Sequence, residues 1–342
     1  MKKSYLVTGG AGFIGSNYVY RLLSRGEEVT IFDNLSRIGA KGNLIWLEKH
    51  FGKNAFELII GDVRDIEKIK AAVSRKDVVI HLAAQVAVTT SVEKPREDFN
   101  INALGTFNVM EAARLSEKKP IVIYASTNKV YGGMENLKVV EDKTRYKLTD
   151  FPFGISEAFP LNFHSPYGCS KGCGDQYVRD YSRIYEIPSV VFRQSCIYGK
   201  RQFGVEDQGW VAWFVIAAVL GRPITIYGDG KQVRDLLYVD DLLDAYDSSI
   251  SNIEDSAGEI FNIGGGPDNT ISVWKEFGPI LEKLIGEKVP IQLNDWRAGD
   301  QKVYISDIRK ARNALNWSPK VNIRTGIQKL YEWVNEEHSL FS

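Results

Sequence analysis

Tyr167 and Lys171 stand one helical turn apart in the run Tyr167-Gly168-Cys169-Ser170-Lys171. That spacing puts a phenol and an ammonium on one helix face. Both groups keep their protons to about pH 10 in water. A cation held beside the phenol favours the phenolate, which makes the tyrosine a usable base near neutral pH. The spacing alone is weak, because many surface helices carry it, so its meaning depends on the elements that position it.

Those elements begin at the N-terminus. Tyr5-Leu6-Val7 predicts a short buried strand, followed at once by Thr8-Gly9-Gly10-Ala11-Gly12-Phe13-Ile14-Gly15 and then a helix through Leu23. Glycines at 9, 12 and 15 between strand and helix suit a tight turn that brings backbone N–H groups and a helix N-terminus to a pyrophosphate. Glu28–Phe32 predicts a second strand ending in Asp33, whose carboxylate suits the adenosine ribose hydroxyls and would repel a 2′-phosphate. NAD is therefore favoured over NADP. Asn34, Ser36 and Arg37 follow in the same loop and are expected at the cofactor.

Strand and helix keep alternating. Phe56–Ile60 predicts a strand leading to Asp62, placed for the adenine amino group, with Val63 beneath the ring. Val78–Ala84 predicts the next strand, with Leu82, Ala83, Ala84 and Gln85 against the cofactor. His81 in that apolar run reads as a packed, hydrogen-bonded core residue. A single long helix is expected to carry Asp98, Asn102 and Asn108, with Asn102 pinning loops around the cofactor. Pro120–Tyr124 predicts a fifth strand ending in Ala125-Ser126-Thr127, whose hydroxyls would point into a ligand crevice. An irregular insertion, about 133–165, precedes the Tyr167 helix. Ser189–Arg193 is a further strand, and Gln194 beyond it is expected at the cofactor. This alternation is the α/β, doubly wound parallel pattern.

The chain has 342 residues with 43 basic and 43 acidic side chains. A zero net charge argues against broad capture of nucleic acid or an anionic membrane. No apolar run is long enough to span a bilayer, and the N-terminus reaches Gly9 too early for a signal peptide. A cytoplasmic protein is expected. Cys169 and Cys173 read as packing residues rather than a metal or redox pair, because no Cys/His partners lie nearby in sequence. No metal is expected.

The set of motifs resembles the extended short-chain dehydrogenase/reductase family. It comprises Thr8–Gly15, Asp62-Val63-Arg64-Asp65, His81–Ala84, Asn102–Thr106, Ser126-Thr127, Tyr167 with Lys171, and Phe192-Arg193. The likeness continues through Tyr227–Gly230, Arg234-Asp235, Asn262–Gly265 and Trp317-Ser318-Pro319. Sugar nucleotide 4,6-dehydratases of that family follow Ser-Thr with Asp-Glu, the acid and base of water elimination. Here Asn128-Lys129 stands instead. Within the family, the stretches Ser126–Gly132, Asn162–Gly172, Arg201–Phe203, Asp207–Val211 and Gly230–Asp235 look much like those of 2-epimerases acting on CDP-paratose and CDP-tyvelose. Asn162 stands where that pattern carries aspartate.

The resemblance implies an NAD-dependent isomerase inverting C2 of a nucleotide diphosphate sugar, CDP-linked sugars being favoured, through a 2-keto intermediate. It assigns Tyr167 as base, Lys171 as its electrostatic partner and ribose anchor, and Thr127 as a relay to the sugar hydroxyl. Arg234 and Arg297 would clamp the diphosphate, a task suited to the planar guanidinium. Asn128, His164, Arg201, Gln208 and Asp300 complete the expected substrate side. A homodimer or homotetramer is implied, packing near Asn102 and Tyr167. Residues 1–193, with 236–265, are expected to form the NAD-binding part, and 194–342 mainly an interleaved sugar-nucleotide region. A nucleotide sugar 4-epimerase would share every catalytic group. A non-catalytic NAD-binding regulator is the third alternative, disfavoured by the intact Thr127, Tyr167 and Lys171.

Overall fold

The computed structural model describes residues 2–297 and 300–341. Its centre is a seven-stranded parallel sheet, in the spatial order 260–263, 189–194, 121–127, 78–81, 4–8, 28–33, 57–60. The strands at its middle are apolar on both faces (Leu6, Val7, Val79, Ile80, Val122 and Ile123 are all fully buried), as required when helices cover both sides. The order of connection reverses between the first strand, Ser4–Thr8, and the fourth, Val78–His81, which pair with Thr8 opposite His81. At such a switch point the crossovers leave in opposite directions and open a crevice at the carboxyl ends of the strands. The expected cofactor residues come from that edge, from the loops leaving it, and from the helices Phe13–Ser24 and Ser165–Tyr185 and the turn Asn100–Leu104 beside it.

The edge strand Ile260–Ile263 comes from the C-terminal half and lies in register with Val191–Gln194. Smaller strands from the C-terminal half form a separate layer: Val233–Asp235 pairs with Thr270–Ser272 and with Val303-Tyr304.

Three expectations differ from the structure. The fourth strand stops at His81 rather than running to Ala84, because Leu82 and Ala83 both turn their N–H groups onto Thr8 Oγ1 (3.2 and 3.3 Å). The helix carrying Asn102 is not continuous: Pro95–Phe99 and Gly105–Leu115 are α-helical, and Asn100–Leu104 between them is a π turn, a feature common at functional sites. The 133–165 insertion contains a two-stranded antiparallel ribbon, Val139–Glu141 with Tyr146–Leu148. Among the described residues, no helix is long and apolar enough to cross a membrane.

Candidate active site

The glycine turn is built to hold backbone against backbone. Gly9 has φ +69°, and a Cβ there would meet Ala83 N at 2.8 Å. A Cβ at Gly15 would strike the Gly9 carbonyl. The helix Phe13–Ser24 starts at Gly12 with no side chain capping its first N–H groups, so the positive end of the helix is open to an anion. Asp33 closes the second strand with its carboxylate fixed by Ala11 N (3.0 Å) and Leu35 N (2.8 Å). Burial pushes its pKa up, and these two hydrogen bonds oppose the shift.

The cleft beside this turn is lined by Gly9, Gly12, Phe13, Ile14, Asp33, Asn34, Ser36, Arg37, Asp62, Val63, Leu82, Ala83, Ala84, Ala125, Ser126, Tyr167, Lys171 and Gln194. All were expected there from sequence. A backbone cradle for phosphates, an acid for hydroxyls and an apolar floor fit a dinucleotide. Asp62 is less free than its sequence position implies. Arg64 takes both of its oxygens (2.8 and 2.7 Å) and Asn34 one of them (3.1 Å), and the Arg64 hydrogen bonds hold its pKa down at about 2.

Gln85 and Asn102 stand behind this lining. Asn102 accepts from Gln85 N (2.9 Å) and donates to Gln85 O (3.0 Å), to Asp98 Oδ1 (3.1 Å) and to Ser170 Oγ (3.1 Å). One buried amide thus ties the loop after the fourth strand to the Tyr167 helix. The π turn aims that amide inward. His81 is 1% exposed and bonds Thr8 (2.7 Å) and Thr106 (3.1 Å). Burial holds its pKa down at about 3, so it is a neutral core residue and no base.

The helix Ser165–Tyr185 brings Tyr167 and Lys171 to the cleft wall. Burial pushes the Tyr167 phenol up to about 12, and a hydrogen bond with Thr127 pulls against the shift. The ammonium of Lys171 stands 4.4 Å from the centre of the Tyr124 ring. Burial lowers its pKa to about 7, against the attraction of Asp175 and Asp98. The lysine thus sits on an aromatic face with two carboxylates favouring its charge, and Thr127 is the group that draws the Tyr167 phenol down.

Lys171 makes stability depend on pH in a definable direction. Its folded pKa of about 7 lies below the unfolded value of about 10.4. Between those values the unfolded chain binds the extra proton, so stability rises as pH rises from 7 toward 10 and is lost again on descent. Urea unfolding of the nucleotide-free protein at a series of pH values should show this slope, and Lys171→Met should flatten it. A slope unchanged by the substitution would mean another group causes it.

On the substrate side, Thr127 lies against Asn128 Oδ1 (3.4 Å). Arg234 is buried and pairs with Asp300 (2.6 Å). Arg297 pairs with Asp207 (3.0 Å) and lies 3.8 Å from the Tyr227 ring centre. The two arginines are thus each held in a separate ion pair. His164 is an exposed residue at the start of the Tyr167 helix.

Arg201 and Gln208, expected with the substrate, line the same cleft as the expected cofactor residues. Arg201 is buried, donates to Asn43 Oδ1 (2.9 Å) and stacks between Trp46 and Trp333. Gln208 accepts a hydrogen bond from Arg37. Asn43, which also lines the cleft, carries no sequence motif. Asp175 is different. It stands one turn beyond Lys171, so its place under the site is legible from spacing, and its ion pair with Arg193 is the most deeply buried one described.

Parallel sheet, glycine turn and a tyrosine–lysine helix beside it define a dinucleotide-dependent enzyme fold of the short-chain dehydrogenase/reductase type. A family model described as GDP-mannose 4,6 dehydratase matches residues 6–330, and the chain belongs to this family of extended short-chain dehydrogenase/reductases. A CDP-paratose 2-epimerase of Salmonella typhi is 44% identical over 337 residues, 96% of this chain and 98% of that protein. A putative UDP-glucose 4-epimerase of Methanocaldococcus jannaschii is 34% identical, over 97% of this chain and 99% of that one. Among solved structures, a UDP-glucuronic acid 4-epimerase from Bacillus cereus, in complex with UDP-glucuronic acid and NAD, superposes with a TM-score of 0.81. It is 28% identical, over 97% of this chain and 99% of that chain.

Proposed function

We propose that this enzyme inverts C2 of a nucleotide diphosphate sugar, interconverting CDP-paratose and CDP-tyvelose, with NAD held in the cleft beside the glycine turn. Bound NAD would supply the reversible oxidising power, accepting the C2 hydrogen with its bonding electron pair and giving both back. Tyr167 withdraws the C2 hydroxyl proton, relayed through Thr127, and later returns it. Asp33, the glycine turn and Lys171 hold the cofactor so that it stays through both halves of the cycle. The resulting 2-keto sugar must present its other face before the hydrogen and electron pair return to C2 and the proton to the oxygen. Arg234 and Arg297, each replaceable from its carboxylate partner, take the diphosphate.

The observation that carries this proposal is the combination at the end of the fifth strand. Thr127 is the hydroxyl that draws the Tyr167 phenol down, yet the next two positions are Asn128 and Lys129, which leaves elimination of water without its acid and base. The 44% identity to a CDP-paratose 2-epimerase, with nearly the whole of both chains aligned, supports the choice of C2. On the same proposal, residues 1–193 with 236–265 form the NAD-binding part, and 194–342 mainly the sugar-nucleotide part. Two or four copies pack where Phe99, Leu104 and Tyr177 are exposed, and three unpaired cysteines agree with a cytoplasmic location.

The test is a panel of CDP-, GDP- and UDP-linked sugars, with products resolved by epimeric carbon. Inversion at C2 of the CDP-linked sugar is expected. Inversion at C4 would instead support a 4-epimerase, the activity named for the Methanocaldococcus jannaschii relative.

A further inference from the structure

Lys129 has no role in the scheme above, yet it stands two residues beyond Thr127. The tight turn Asn128–Tyr131 fixes its backbone. Its N–H donates to Thr127 Oγ1 (3.2 Å), and its carbonyl accepts from Gly132 N (3.2 Å). The same carbonyl packs on Gly168, the residue after Tyr167, where an added Cβ would approach it to 3.2 Å. The segment beside Asp300 is tied to this turn through Gln301, which donates to Gly132 O (2.5 Å). Lys129 is thus held between the proton-transfer residues and the Arg234–Asp300 wall.

Its side chain is half-buried, and among the described residues its ammonium has neither hydrogen bond nor ion pair. The charges nearest it are Arg234, which repels it, and Asp300, already bound to Arg234 at 2.6 Å. Burial, with Arg234, holds its pKa below that of an ordinary lysine. Two cations facing one committed carboxylate leave this wall one positive charge in excess. A sheltered cation without a counter-ion is unfavourable until an anion arrives, and phosphate is an anion that lysine binds well.

The chemistry of the substrate says which phosphate. A nucleotide sugar carries its diphosphate on C1, next to C2 and across the ring from C4. If the C2 hydroxyl lies at Thr127 and Tyr167, the sugar-side phosphate falls beside the next residues of the same turn. With C4 in that place, the phosphate moves to the far side of the ring. We propose that Lys129 binds the sugar-side phosphate and so sets C2, rather than C4, against Tyr167; this rests on the 2-epimerase proposal. An anchor outside the ring also leaves the ring free to turn between loss and return of the proton. The glutamate that dehydratases carry at this position would repel the phosphate.

The experiment is calorimetric titration of the NAD-loaded enzyme with CDP, UDP and GDP, each paired with its monophosphate. The wild-type enzyme should bind one diphosphate more tightly than its monophosphate. Lys129→Met should weaken that diphosphate about 10- to 100-fold, the size of a lost hydrogen bond to a charged group, and leave the monophosphate unchanged. Lys129→Arg should restore most of the difference. Thermal melting of both variants checks that they fold. Equal weakening of both nucleotides, or no weakening of the diphosphate, would overturn the phosphate contact while leaving the 2-epimerase proposal standing. A wild-type enzyme that binds none of the diphosphates would overturn both.

Discussion

Tyr167→Phe is expected to lower kcat by about 10²- to 10⁴-fold, the usual worth of a positioned acid–base group, while the protein keeps its cofactor. The substitution removes one oxygen from a half-buried ring and leaves the helix Ser165–Tyr185 intact. Its phenol is pushed up to about 12 by burial, and phenylalanine leaves no proton-transferring group in its place. Lys171 stays over the Tyr124 ring, so cofactor binding should change little. The check is steady-state turnover beside the nucleotide absorbance of the purified protein. Full turnover in the variant would remove Tyr167 from the chemistry. Loss of cofactor along with turnover would mean that the hydroxyl serves binding instead.

Asp175→Ala is expected to cost about 3–5 kcal/mol of stability, the price of stranding a buried partner charge. Asp175 is 0% exposed and Arg193 2%. Two hydrogen bonds of 2.9 Å join them, and Ser126 adds a third to Asp175 at 2.8 Å. The network continues from Arg193 to Tyr131 (3.0 Å) and from Tyr131 to Asn262 (2.7 Å), linking three strands of the sheet, the helix Ser165–Tyr185 and the turn Asn128–Tyr131. With Asp175 gone, the guanidinium is buried without a counter-charge, and Lys171 loses the first of the two carboxylates that favour its charged form. Urea unfolding measures the loss. The double substitution Asp175→Leu with Arg193→Met should recover part of it, because an apolar pair of similar volume avoids the desolvation cost. A single-variant change below about 1 kcal/mol, the range of an exposed pair, would show that water reaches the site.

Much of the cofactor half is legible in the sequence because its signals are local. Glycines 9, 12 and 15 between an apolar strand and a helix allow few other backbones, and Asp33 follows at the end of the next strand in register with the first. Tyr167 and Lys171 are fixed relative to one another by helical spacing alone. What escapes is set by contacts far apart in the chain. Arg201 reaches Asn43, 158 residues away, and that bond fixes its place in the cleft wall. Gln208 follows Arg37 there for the same reason. The π turn at Asn102 depends on Gln85, Asp98 and Ser170 converging on one amide, and no local propensity encodes it. The position of Lys171 over Tyr124 requires two elements to pack, so helical spacing could state its neighbour in sequence but not its counter-charges. Lys129 is legible only as the absence of a carboxylate. Its lack of a partner appears once Arg234 and Asp300 are seen to satisfy each other.

The most direct test of transient oxidation at C2 is the fate of a deuterium placed there. CDP-paratose deuterated at C2 should yield CDP-tyvelose that keeps the label on C2 through inversion, with none appearing in water, because the same hydrogen leaves and returns within one closed pocket. Wash-out of the label into solvent during inversion would contradict the mechanism and point to deprotonation of carbon instead.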